Sequence, residues 1–379
     1  MVLNAILAAL ALLSLGLTLW QWLAARRFPL HQRVAGRTFA PAVTLLKPLK
    51  GRDEATESCL RSWFRQEYGG NIQILFGVAS DDDPAVGIVR RLTHEHPHND
   101  AQLVVCGPLS GENAKVSKLA QLAKLAKHEL VVVSDADVRV APEFLANVVA
   151  PLEQTDVGLV NCFYRLANPS TLAMRCEAIA INADFWSQVL QSCSLKPMDF
   201  ALGAVMATRR KQLEEIGGFA GLVNCLADDY QLGNRIARRG YRIALCPTVV
   251  ECWSGPMGWR AVWKHQLRWA RTIRVCQPAP YFFSILSNGS LWPLLWLGLA
   301  PRPTVCALAL GSLLVRVAAA VALQRRLTGN WTHLAYAWMV PFKDLFQAAI
   351  WLLAFLGNKV EWRGVHLRLR RDGTVERMA

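Results

Sequence analysis

At 379 residues the chain is long enough for one large folded domain with accessory segments. A hydrophobic fraction of 53% is high beside 18% charged residues, and the excess is concentrated, since residues 1–25 and 275–301 carry no charged side chain. The formal net charge of +14 leaves nucleic acid or an anionic membrane as partners, and with apolar runs at both ends and no Arg/Lys–aromatic interleaving, nucleic acid is set aside for the bilayer.

In chain order, residues 1–25 read as a retained transmembrane anchor, because Arg26 and Arg27 follow the apolar run instead of preceding it as in a signal peptide. The positive-inside rule then places the chain after Arg26 in the cytosol. The ten cysteines, with no Cys-x-x-Cys pair, fit reduced cytosolic thiols. A basic linker is expected over 26–40, and a catalytic-type α/β domain over 41–275. There, strands predicted at 42–46, 72–79, 102–106 and 130–133 alternate with helices at 54–67, 84–95 and 114–128, and another helix starts at Pro142. This order predicts a mostly parallel, Rossmann-like sheet covered by helices, with ligands at the carboxyl ends of its strands.

The second half is less regular. A helix is expected over 171–189, carrying Glu177, Asn182 and Asp184 among apolar residues, and a strand-like stretch over 200–208. A helical pattern follows within 226–240, then a strand over 241–250 and a basic, Trp-rich helix over 259–275. Beyond lie apolar stretches at 281–300, 303–323 and 333–356, each near the roughly 20 residues that span a bilayer. The first two are expected as a hairpin turning at Pro301-Arg302-Pro303, with Arg325 and Arg326 on the cytosolic side. A basic cytosolic tail over 359–379 holds Arg363, Arg368, Arg370 and Arg371. The third stretch is interrupted by Pro341-Phe342-Lys343-Asp344 and is expected to be broken, as a re-entrant or in-plane pair of short helices close to the active site, because a Lys–Asp pair facing lipid is costly; a third full span with the tail outside is the alternative. Arg316 inside the second stretch needs a partner, for which Asp344 is a candidate.

Acidic residues gather where the predicted strands end: Asp53 after the first, Asp81, Asp82 and Asp83 after the second, Asp135 and Asp137 after the run 130–133. A lone Asp-x-Asp equally makes an Asx turn, but three such loops at strand ends suggest a site. Asp135-x-Asp137 can hold Mg²⁺ or Mn²⁺ against the diphosphate of a nucleotide-sugar donor, Asp137 in direct contact and Asp135 in the metal shell or on sugar hydroxyls. Asp53, Asp82 and Asp83 would line the nucleoside end, with a solvated acidic loop as the competing reading; Lys115 is grouped with the donor-binding residues. Asp229, opening a helix, is the candidate general base, and Asp228 beside it could cap that helix alone. Arg268 and Trp269 offer a guanidinium to the diphosphate and an aromatic plane, against the plainer reading of an interfacial basic helix; His265 and Asp228 are left between the donor and acceptor sides.

Lys47-Pro48-Leu49-Lys50-Gly51-x-Asp53, Asp82-Asp83-Pro84, Asp135-x-Asp137, Asp228-Asp229-Tyr230, Arg268-Trp269 and the tail Trp362-Arg363-Gly364…Arg370-Arg371-Asp372-Gly373-Thr374 together resemble the ceramide glucosyltransferase family. The resemblance runs from about residue 42 to the tail and implies a GT-A fold, inversion, a UDP-sugar donor, a divalent metal and an aspartate base. By motif it places donor contacts on Asp53, Asp135 and the Arg268-Trp269 segment, and the base on Asp229. His265 departs from the Gln or Arg usual at its position, and Asp228-Asp229-Tyr230 stands where Glu-Asp-Tyr is also found. Bacterial relatives of that family act on hopanoids, so the implied acceptor is ceramide or a hopanoid polyol, the sugar a hexose or N-acetylhexosamine, and the setting a bacterial inner membrane. Two other functions fit parts of the sequence: a processive polysaccharide synthase, which shares the aspartates and the Arg-Trp segment, and a non-enzymatic lipid-binding scaffold.

Overall fold

The structure is a computed structural model and describes residues 1–33, 39–362 and 364–378; residues 34–38 of the expected linker and Arg363 of the tail lie outside the described residues. In chain order it contains α1 (Val2–Arg27), β1 (Val43–Pro48), α2 (Thr56–Phe64), β2 (Ile72–Val78), α3 (Ala85–Glu95), β3 (Asp100–Val105), α4 (Ala114–Ala123), β4 (Leu130–Ser134) and β5 (Val138–Arg139). Next come α5 (Phe144–Val149), β6 (Val157–Leu166), α6 (Leu172–Ile179), a π-helical turn (Ala180–Phe185) and α7 (Trp186–Cys193). Then follow β7 (Val205–Arg209), α8 (Arg210–Glu215), α9 (Asp228–Arg238), β8 (Arg242–Cys252) and α10 (Trp259–Cys276). The last part holds α11 (Pro278–Phe283), α12 (Leu291–Leu299), α13 (Pro303–Thr328), α14 (Met339–Ala354), β9 (Lys359–Trp362), β10 (Val365–Leu369) and β11 (Val375–Arg377).

Eight strands form one sheet in the order β3-β2-β1-β4-β7-β6-β8-β5. The four strands β3, β2, β1 and β4 run parallel, and β7 enters antiparallel to both β4 and β6. The central strands β1 and β4 are buried at every position, which is why they do not read as an alternation: Leu130–Val133 is an unbroken apolar run, and β1 is apolar but for Thr44 and Lys47. One core cluster packs β1, β2 and β4 against α2, α3 and α5; a second packs the opposite face against α4, α9 and the α6–α7 helix. The sheet's β1 and β4 carboxyl ends therefore open on one edge, where the acidic loops converge.

The strand β6 escapes sequence periodicity because Gly158 and Asn161 interrupt its apolar run. Both have packing reasons: a Cβ on Gly158 would come within 2.5 Å of Tyr241 Cβ, and buried Asn161 donates to the Ala244 carbonyl at 3.0 Å and accepts from Leu202 N at 3.2 Å.

Two helices, α1 and α13, are each 26 residues long and apolar enough to cross a membrane. The stretch 281–300, expected as the first arm of a hairpin, is bent by 54° between Pro278–Ser287 and Leu291–Leu299. Asn288 shapes the bend, its carboxamide accepting from Leu291 N at 2.9 Å and donating to the Asp344 carbonyl at 2.7 Å. The stretch 333–356 is not one continuous helix: a 3₁₀ turn at Leu334–Tyr336 precedes α14, so the interruption lies before Met339, and α14 runs through Pro341–Asp344. Pro341 is the third residue of α14, where its missing N–H leaves no intrahelical bond unmade. Lys343 and Asp344 do not face lipid. They are buried with Arg316 of α13 and Asp184 of the π turn. Arg316 donates to Asp344 at 2.8 and 2.9 Å and to both Asp184 oxygens at 2.9 Å; Lys343 pairs with Asp184 and, at 2.5 Å, with Asp344. The expected tail folds as the antiparallel sheet β9–β10–β11, packed through Leu367, Leu369 and Val375 on Leu226.

Removing one member of this buried quartet leaves an uncompensated charge, so Arg316→Gln is expected to destabilise the protein by about 3–5 kcal/mol. Asp184→Asn combined with Arg316→Gln should recover part of that loss, as read by the unfolding midpoint in detergent.

Candidate active site

The loop after β1 turns at Gly51, whose φ of +69° suits a residue without a side chain. Its N–H reaches the Asp83 carboxylate at 3.0 and 3.1 Å, and Asp83 also accepts from Ala85 N at 2.9 Å, so Asp83 ties the β1 loop to the β2 loop. Asp53 accepts from Thr56 Oγ1 at 2.8 Å and Ala55 N at 3.0 Å, closing the turn into α2 with its side chain exposed. Asp82 is exposed beside Ser80, and Asp81 pairs with Arg90 at 2.8 Å.

Asp135 and Asp137 flank Ala136 in the turn from β4 to β5. Lys47 fixes that turn from below. Buried on β1, it donates to Ser134 Oγ at 3.1 Å and to the Asp135 carbonyl at 2.5 Å. Burial pulls its ammonium down to about 8, with Cys59, Asp137 and Asp135 opposing the shift.

Lys115, in the first turn of α4, bridges Asp135 Oδ1 at 2.7 Å and Asp228 Oδ2 at 3.1 Å. Burial alone would lower it, but the two carboxylates carry it above the usual lysine range. Asn113 caps α4 by accepting from Lys115 N and Val116 N, both at 3.1 Å, and donates to the Cys225 carbonyl at 2.7 Å, which fixes α4 against the segment leading into α9. Asp229 follows at the start of α9, its Oδ1 accepting from Tyr230 N at 2.8 Å. Burial first, and then the adjacent Asp228, push Asp229 up to about 6, against the pull of Lys115. Gly203 makes room for this group, since a Cβ there would stand 2.6 Å from Asp229 Oδ2.

On α10, His265 Nδ1 lies 2.6 Å from buried Glu177 of α6, and Gln266 Nε2 donates to the same oxygen at 2.8 Å. The His265 and Trp269 rings are 4.6 Å apart, and Trp269 lies 6.4 Å from Phe185 of the π turn. Tyr164 of β6, 5.4 Å from Phe185, links this group to the aspartates. Burial, then Cys252, Asp229, Glu177 and Asp135 in turn, push its phenol well above the usual range. Arg268 sits on α10 between His265 and Trp269 in sequence, half-buried.

The structure thus gathers Lys115, Asp135, Asp228 and Asp229 in one cluster, with Asp83 and Asp53 on the adjoining loops. Lys47, Asn113, Tyr164, Glu177 and Gly203 surround this cluster without having been singled out by sequence reasoning as site residues. Glu177 carried a signal, an acid among apolar residues; Gly203 carried none, because its contact depends on a residue 26 positions away.

The profile of glycosyl transferase family 21 matches residues 6–375. The chain belongs to that family.

Ceramide glucosyltransferase 3 of Caenorhabditis elegans is 26% identical over 223 residues, 58% of this family 21 chain and 48% of that protein. Ceramide glucosyltransferase of Komagataella phaffii is 30% identical over 138 residues, 34% and 27% of the two chains. A probable glycosyltransferase of Bacillus subtilis, YdaM, is 24% identical over 238 residues, 61% and 55%. The chain spans about half the length or less of these curated relatives. Among solved structures, the mannosyltransferase PcManGT from Pyrobaculum calidifontis in complex with GDP-Man and Mn²⁺ superposes with a TM-score of 0.53 at 23% identity, over 93% of this chain and 99% of that one. That likeness establishes a GT-A-like fold.

Among the described residues no group of three or more His, Cys, Asp or Glu side chains forms a closed metal cage. A divalent cation that shares substrate phosphates needs only one or two carboxylates, and Asp135 and Asp137 supply hard oxygen donors on a turn that Lys47 holds fixed. The donor set therefore fits Mg²⁺ or Mn²⁺.

Gly203→Ala tests the placement of Asp229 without touching any charge. The added methyl must displace the carboxylate, and sugar transfer is expected to fall about 100-fold in kcat with unchanged circular dichroism and little change in donor KM.

Proposed function

We propose that this family 21 protein transfers a hexose or N-acetylhexosamine from a UDP-sugar to a hydroxyl of a membrane lipid, ceramide or a hopanoid polyol, with inversion at the anomeric carbon. The observation that carries the reading is Asp229, a carboxylate of raised proton affinity set beside the Lys115–Asp135–Asp228 bridge at the sheet's carboxyl edge. The lipid hydroxyl oxygen attacks the anomeric carbon as Asp229 takes its proton; the bond from that carbon to the diphosphate oxygen breaks, and UDP departs with the electron pair. Asp53, Asp82 and Asp83 serve the nucleoside end. Lys115 and Arg268 face the growing negative charge of the leaving group, and Trp269 with His265 borders the sugar. Mg²⁺ or Mn²⁺ held by Asp135 and Asp137 would neutralise the diphosphate.

Support for a lipid acceptor comes from the apolar helices. Arg326 of α13 donates to the Ala25, Arg26 and Phe28 carbonyls at the end of α1, at 2.9, 3.1 and 2.7 Å, so both helices end, with their basic residues, on the side of the catalytic sheet. By the positive-inside rule that side is cytosolic, and an acceptor arriving from the bilayer meets the cleft at its membrane border. The ceramide glucosyltransferase names of the nematode and yeast relatives agree with such an acceptor.

Membranes containing the protein, given labelled UDP-glucose and UDP-N-acetylglucosamine with a lipid extract, should yield a monoglycosylated lipid by mass spectrometry. A polymer would instead identify a processive synthase, and no product from either donor would overturn the reading. Asp229→Asn is expected to reduce kcat by 1,000-fold or more, and at Asp137→Ala the activity should fall while added Mn²⁺ rescues it only in part. Because Asp229 acts as a base, its protonated form is inactive. Raised to about 6, it should give kcat/KM an acid limb near pH 6, with activity rising above it. Chelation with EDTA should abolish transfer and added Mn²⁺ or Mg²⁺ restore it.

A further inference from the structure

A cavity of about 980 Å³ lies where α10, the end of α14 and the β9–β10–β11 sheet meet. Its walls carry Arg271, Arg274, Lys359, Arg368 and Arg371, and no Asp or Glu among the described residues. Arg368 lies 3.8 Å from Glu376 outside it. The two deeper guanidiniums are only partly satisfied: Arg271 donates to the Lys359 carbonyl and Arg274 to Asn358 Oδ1, while the Nε of each is buried without a hydrogen-bond partner. Burial and the neighbouring Arg274 lower the proton affinity of Arg271, which marks uncompensated positive charge.

This cavity is separate from the candidate active site. None of its lining residues belongs to the candidate active site, and at about 100° per residue Arg271 and Arg274 point away from His265 and Trp269, with Arg268 between the two faces. Its rim is apolar: Phe355 and Leu356 line it. Around them an exposed apolar patch continues, with Phe282 and Phe283 on α11 and Leu352 on α14. The Phe355 ring lies 5.1 Å from Trp351 and 6.3 Å from Phe282, and Arg274 sits 5.7 Å above Phe355. An aromatic belt beside a basic cavity is the signature of a membrane–water interface.

We propose that this cavity binds the phosphate of an anionic phospholipid headgroup, with the acyl chains lying along Phe355, Leu356 and Phe282. Inorganic phosphate shares the headgroup chemistry but has no use for the apolar rim, and an anion bound here cross-links α10 and the β9–β10–β11 sheet through otherwise repelling cations. Because that sheet joins the segment ahead of α9 through the Val375 N to Asn224 O bond at 2.7 Å, occupancy steadies the approach to the active site without entering it.

The test uses delipidated full-length protein in neutral detergent, following the unfolding midpoint while titrating dioleoylphosphatidylglycerol, dioleoylphosphatidylcholine, inorganic phosphate, or UDP with Mn²⁺. Phosphatidylglycerol should raise the midpoint, phosphatidylcholine should not, and inorganic phosphate should act only at far higher concentration. Arg271→Gln with Arg274→Gln should weaken the response to phosphatidylglycerol roughly 30-fold, about 5-fold per charge, and leave the UDP response unchanged. Arg368→Gln with Arg371→Gln, on the exposed sheet, gives a second weakening in a variant whose core is untouched. An unaltered phosphatidylglycerol response in both double variants overturns the proposal. So does inorganic phosphate binding as tightly as the lipid, or loss of the UDP response together with the lipid response, which would assign the cavity to the donor.

Discussion

The architecture depends on four charges that have no water. Arg316, Asp184, Lys343 and Asp344 are all buried, and each is tolerable only because the others are in reach. The quartet draws one residue from α13, one from the π turn and two from α14, and Ser290 Oγ adds a 2.6 Å hydrogen bond to Asp344 from the bend before α12. It therefore sets how a membrane helix stands against the catalytic sheet. The same helical rod that supplies Asp184 also carries Glu177, which holds His265 and Gln266 of α10. The π turn between α6 and α7 inserts an extra residue per turn where the chain must serve both contacts, a common reason for such turns at functional positions.

How much of this was legible in the sequence follows from the range of each interaction. The buried strands β1, β2 and β4, and the acidic loops at their ends, need only local patterning, and their boundaries were found within a residue or two. The partnership of Arg316 with Asp344 was legible because an ion in an apolar run demands a counter-ion. That Asp184 and Lys343 complete the cluster was not, since charge balance among four residues spread from 184 to 344 depends on packing. The same demand for neutralisation explains why α14 runs through 341–344: a break was expected to relieve a Lys–Asp pair that the fold relieves with partners. The strand β6 was missed for the complementary reason, its Gly158 and Asn161 being breakers locally and close-packing or hydrogen-bonding residues in three dimensions.

The acidic loops acquire distinct characters only once folded. The sequence assigns Asp135, Asp228 and Asp229 different candidate roles by position and motif, but it shows no difference in their electrostatic surroundings. Lys115 divides them, because its one ammonium bridges Asp135 and Asp228 and leaves Asp229 without a direct cation partner among the described contacts. The first two are thereby held in position, whereas Asp229, buried next to a like charge, gains proton affinity. A catalytic base needs that gain, since a carboxylate near its ordinary value has little drive to take a proton from an alcohol. Gly203 leaves the Asp229 carboxylate the space it occupies against the turn before β7. One lysine and one missing side chain are thus enough to give three like acids two different environments, the difference on which the proposed role of Asp229 rests. A second cation beside Asp229 would lower its proton affinity and remove the distinction.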